Sequence, residues 1–153
     1  FMNSDTIGTN FTVSEMTGDV GSVTVSTDGS VTPSPSPTPS PTPSPTTYTV
    51  TVASYLGSNY FYIDGARTPT LSLTEGQTYK FDQSSGTNSN HPLRISTTSN
   101  GTHAGGSEYT TGVTTSGTPG SSGAYTQIEV ASGAPTLYYY CSNHSGMGGQ
   151  LNT

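Results

Sequence analysis

Apolar residues in this chain recur mainly at every second position, and almost nowhere at the three- and four-residue spacing of an amphipathic helix. Tyr48, Val50 and Val52 alternate with Thr49 and Thr51, the pattern of a half-buried first strand. Asn59 to Ile63 reads as a second strand, closed by the turn pair Asp64-Gly65. Leu71-Leu73 and Tyr79-Phe81 flank the turn signal Glu75-Gly76 and are expected to form a meander. Leu93-Ile95, Ile128-Val130 and Leu137-Tyr139 complete the set. Short alternating strands at this spacing predict an all-β domain, a Greek-key β-sandwich, over residues 47–153. Ser99 to Gly123 is rich in Gly, Ser and Thr without a sustained period, so a mobile flap or a packed Ω-loop is expected there.

Upstream the pattern changes twice. From Pro33 to Pro45 proline alternates with Ser or Thr and takes seven of the eleven prolines. Proline at every second position fixes φ and removes half the donors, so residues 32–46 are expected to form an extended spacer of roughly 40 Å. Such a tract also suits an SH3-type groove or O-glycosylation, but no basic residue flanks it to orient the first. Residues 1–31 hold strand-like pieces, Asn10-Phe11-Thr12-Val13 and Ser22-Val23-Thr24-Val25-Ser26, with an Asp28-Gly29 turn signal before Val31. Thirty-one residues bury too little apolar surface to fold alone, so this segment is expected to be the strand-rich end of an upstream module.

Composition narrows the function classes. Three Lys and Arg stand against nine Asp and Glu, which leaves no basic footprint for nucleic acid. The acids divide unevenly: residues 1–46 carry four and no base, residues 47–153 carry five with all three bases. No apolar run is long enough for a membrane-spanning helix. The residues after Phe1 lack the basic stretch and apolar core of a leader peptide, so any export signal is expected upstream of them. A single cysteine excludes an internal disulfide.

That cysteine carries the chemistry. Cys141 ends the run Leu137-Tyr138-Tyr139-Tyr140, His144 follows three residues later and Met147 three after that. A short loop can turn all three donors to one centre, and a fourth must come from another strand. His91 opens the run His91-Pro92-Leu93-Arg94-Ile95, where alternation puts it on the apolar face with Leu93 and Ile95. The same count turns Cys141, Tyr139 and Leu137 inward and Tyr140 outward. Two imidazoles and a thiolate with a weak thioether suit a mononuclear copper site, although zinc accepts the first three donors too. A small buried cysteine and a gap-filling methionine are the duller alternatives, but Ser145 and Gly146 before Met147 and two glycines after it mark a loop. His103 lies in the Gly-rich stretch without ligand spacing and is expected at the surface. Enzymatic signatures are lacking: a Cys and a His three residues apart do not make a protease-type pair, and no phosphate-cradling loop is present.

The stretch Tyr138 to Gly148, with Asn90-His91-Pro92-Leu93 upstream, resembles the cupredoxin family, and its Cys-x2-His-x2-Met loop is similar to that of amicyanin. The resemblance implies one type 1 copper, with His91 and His144 as equatorial donors, Cys141 as thiolate and electronic path, and Met147 as axial ligand. It also implies one-electron transfer without substrate turnover, Tyr140 as a second electron exit, and a redox partner protein. Pro92 departs from the family, because the residue there commonly donates its N–H to the thiolate. Asn143 replaces a common proline and regains a donor. The low charge and the proline stalk resemble cupredoxin-like modules of large surface or virion proteins, in which neighbouring fibre modules would be the partners and copper a stabiliser. Either role implies a location outside the cytoplasm: extracellular, periplasmic or on a virion surface.

Overall fold

The computed structural model describes residues 43–153 and, upstream, only the strands Thr24–Val25 and Val31–Thr32. The chain divides into two units, Phe1–Pro41 and Thr42–Thr153. In the first, β1 (Thr24–Val25) pairs antiparallel with β2 (Val31–Thr32), Val25 opposite Val31. The expected strand Asn10 to Val13, the Asp28-Gly29 turn and the proline tract as far as Thr42 lie outside the described residues.

The second unit is all-β. Its larger sheet holds β3 (Thr46–Tyr55), β4 (Ser58–Ile63), β5 (Ala66–Arg67), β7 (Thr78–Asp82), β9 (Val113–Ser116) and β10 (Tyr125–Glu129). Their order across the sheet is β5-β4-β3-β7-β10-β9. The smaller sheet holds β6 (Leu71–Ser72), β8 (Leu93–Ser96), β11 (Leu137–Cys141) and β12 (Gly149–Asn152), in the order β6-β12-β11-β8. Alternation works as the sequence implies: β4, β7 and β10 bury every second residue, Phe61 and Ile63, Tyr79 and Phe81, Thr126 and Ile128. These meet Leu93, Ile95, Leu137, Tyr139 and Leu151 from the other sheet in one core. The Tyr139 ring lies 6.4 Å from that of Phe81 and 6.5 Å from that of Phe61, and its hydroxyl donates to the Pro69 carbonyl. A buried tyrosine keeps its ring in the core when its hydroxyl finds such a partner.

Two expectations are corrected. Leu71-Leu73 and Tyr79-Phe81 do not form a meander, because β6 runs parallel to β12 while β7 sits between β3 and β10 in the other sheet. The Glu75-Gly76 turn therefore crosses between layers, which a local turn signal does not reveal. Ser99 to Gly123 is also more than a flap or loop. It contains a 3-10 turn, Gly101–Ala104, and the edge strand β9, whose exposed threonines and serine mask its period.

Candidate metal centre

The site forms where β8 and β11 leave the smaller sheet side by side, with Cys141 opposite Leu93. On the side of β8 that faces β11 Pro92 has no N–H to give, and only its carbonyl continues the ladder. On the opposite, free edge of β8 the buried side chain of Gln83 stands in for a neighbouring strand: its Nε2 donates to the His91 carbonyl at 2.9 Å, and its Oε1 accepts the Leu93 N–H at 3.1 Å. The His91 N–H itself reaches the Asn88 carbonyl. Asn88 in turn donates to the Val50 carbonyl, and the Thr87 hydroxyl accepts the Val52 N–H, so side chains take over β3 just beyond its pairing with β7. His91 is held from both sides and is 9% exposed.

On the β11 side the chain turns through Ser142 to Gly148 and returns as β12. Gly148 is required, since a Cβ there would run into the Tyr139 carbonyl. The loop is tied at four places. Ser142 N–H donates to the Pro92 carbonyl, Asn143 Nδ2 to the Asn90 carbonyl, and Phe61 N–H to the Met147 carbonyl. Asn100 makes the fourth tie, accepting the Gly146 N–H and donating to the Ser145 hydroxyl, both at 2.8 Å. Cys141 and Met147 are buried by this return, while His144 stays exposed.

Three donors converge. Cys141 Sγ lies 3.9 Å from Nδ1 of His91 and 3.6 Å from Nδ1 of His144, and the ligand atoms all lie within 4.8 Å of one another. The imidazole rings stand 4.5 Å apart at 45°. A first-row ion about 2.0–2.1 Å from nitrogen and about 2.3 Å from sulfur holds such atoms about 3.6–3.8 Å apart, so the residues fit a metal with little movement. Met147 lies close by and lines, with His144, a cleft of about 250 Å³ whose other wall is Gly57, Ser58 and Asn59.

Electrostatics agrees with the donor set. Burial pushes the Cys141 thiol up, opposed by backbone N–H groups of Asn143 and His144 that bond the sulfur and by the Arg94 charge. Asn143 thus supplies the donor that the sequence suggested. Burial, and secondarily His144, lowers His91, so its imidazole is neutral and free to ligate around neutral pH. A metal ion held at the sulfur would favour loss of the thiol proton.

His91, Cys141, His144 and Met147 come together as the sequence implies, but one neighbour requires correction. Tyr140 is not outward in solvent; it is 1% exposed, because the turn Gly101–Ala104 covers the face to which alternation sends it. His103 is exposed as expected, yet its Nε2 lies 2.9 Å from the Cys141 carbonyl. Gln83, Asn100 and the tie of Asn143 to Asn90 were missed, because their bonds reach residues distant in sequence or on a strand edge that the sequence does not mark. Among the described residues no helix is long and apolar enough to cross a membrane. No protein-family model matches the chain, and no curated protein matches it.

Proposed function

We propose that residues 47–153 are a cupredoxin-like module that binds one copper ion in a type 1 site and can pass a single electron without turning over a substrate. The observation that carries this reading is the convergence of Cys141 Sγ with the Nδ1 atoms of His91 and His144, beside the thioether of Met147. His91 and His144 would be the equatorial nitrogen donors, Cys141 the thiolate and Met147 the axial sulfur. Copper held there supplies a one-electron couple, and this donor set suits it better than zinc, which has no use for the thioether. The protein's part is positional. Gln83, Asn100 and Asn143 fix the backbone on either side of the donors, so the ligand atoms have little freedom to rearrange between oxidation states. Burial of Cys141, His91 and Met147 keeps water from all but the His144 edge.

A second reading is a structural or adhesive module of an extracellular fibre or virion surface, with neighbouring modules as partners and copper only stabilising the fold. The exposed polar rim of Asn143, Ser145 and Gly146 supports it, since it gives a redox partner little apolar surface to hold. Both readings place the protein outside the cytoplasm. Mixed samples of the Cu(I) and Cu(II) forms distinguish them by NMR line broadening. Slow self-exchange with a copper-dependent rise in melting temperature supports the structural role, and fast exchange with little stabilisation supports the electron carrier. Absence of any copper-induced visible band sinks both copper readings.

A further inference from the structure

The four residues from Asn100 to His103 touch the strand and loop that carry the ligands at three separate points. Asn100, in the left-handed region at φ 63°, grips the loop on either side of the Ser145–Gly146 peptide through its side-chain amide. Gly101 lies flat on the Tyr140 ring, where an added Cβ would stand 2.5 Å from three ring carbons. His103 meets that ring edge-on at 85° and bonds the carbonyl of Cys141 itself. A carbonyl only accepts, so Nε2 carries the proton and Nδ1 is left to solvent. The turn is closed on itself by the Gly105 N–H, which bonds the carbonyls of Gly101 and Thr102.

We infer that this segment is a strap, with Asn100 and His103 as positioning residues for the metal ligands. Asn100 sets the path of the chain between His144 and Met147, and His103 pins the end of β11 so that Cys141 keeps its place when the loop moves. The assignment of a metal to the site rests on the reading above, but the strap acts on the loop with or without one.

The test uses the full chain in its metal-free form. Cys141 is fully buried, so a small disulfide reagent labels it only when the loop opens. Asn100→Gly keeps the left-handed backbone and removes the grip; His103→Phe keeps the edge contact and removes the donor; His103→Gln keeps a donor. Labelling is expected to accelerate about tenfold in the first two, with melting temperatures near that of the parent, and to fall back toward the parent rate in His103→Gln. Labelling at the parent rate in both Asn100→Gly and His103→Phe overturns the strap, as does acceleration matched by an equal loss of global stability. A copper arm separates the two layers: chelator-driven copper release should quicken in the same variants, whereas a parent that shows no visible copper band defeats the metal reading and leaves the labelling result to decide the strap.

Discussion

The two histidines of the site are held by opposite means. His91 sits inside the sandwich, where the Gln83 amide pairs the free edge of β8 on either side of Pro92, at the His91 carbonyl and the Leu93 N–H. His144 sits on an exposed loop whose shape comes from Asn100, Asn143 and the Met147 carbonyl. In both halves side-chain amides stand where the backbone leaves the sheet, but one half is sealed by burial and the other is open to solvent. A damaged His91 half should therefore cost stability, and a damaged His144 half should cost site geometry with the fold intact.

The largest expected effect removes the residue that joins the halves. Cys141→Ser should abolish any copper charge-transfer band, while the β-sheet circular dichroism stays that of the parent, since the substitution is nearly isosteric. Next comes the sealed half. Gln83→Leu leaves the His91 carbonyl and the Leu93 N–H unpaired in the core and should cost about 3 kcal/mol in urea unfolding; a change near zero would mean that water or a neighbour replaces the amide, and the contrast between the halves fails.

Acid sharpens the same contrast. The folded protein holds His91 below its ordinary value of 6.5, so on acidification the unfolded chain takes up this proton before the native state does. Metal-free stability should be full above about pH 6.5 and fall as the pH drops through the lowered native value. His91→Gln should flatten that dependence, and an unchanged slope would contradict the sealed environment. The smallest effect lies outside both halves, at the β3–β4 turn, where Leu56 adopts φ 50° and is 89% exposed. Leu56→Asn suits that backbone and should stabilise by about 0.5–1 kcal/mol without altering the site.

Much of this was legible in the chain. The spacing of Cys141, His144 and Met147 survives as a loop because it depends on a few consecutive residues, and the strands survive because a period of two is a local signal. The crossing of β6 to the second sheet was not legible, because Glu75-Gly76 reads the same whether the next strand pairs with the last or leaves it. Tyr140 shows a further limit. Alternation says which face a residue takes, but its burial depends on a turn some forty residues earlier, from a stretch without period. The amide ties have the same cause: Asn100 bonds residues 45 and 46 positions away, and nothing in its own surroundings announces that. Gln83 was no easier to infer, since it pairs the His91 carbonyl and the Leu93 N–H at the free edge of β8, and nothing in the sequence says which strand edge is left without a neighbour.

The central claim is that His91, Cys141 and His144 form one preorganised sulfur and nitrogen site for copper. X-ray absorption at the copper edge of the protein loaded with one equivalent of Cu(II) tests it most directly. One short copper–sulfur distance with two imidazole nitrogens, losing the sulfur in Cys141→Ser, is the predicted result. A shell of nitrogen and oxygen alone, unchanged by that substitution, would contradict it.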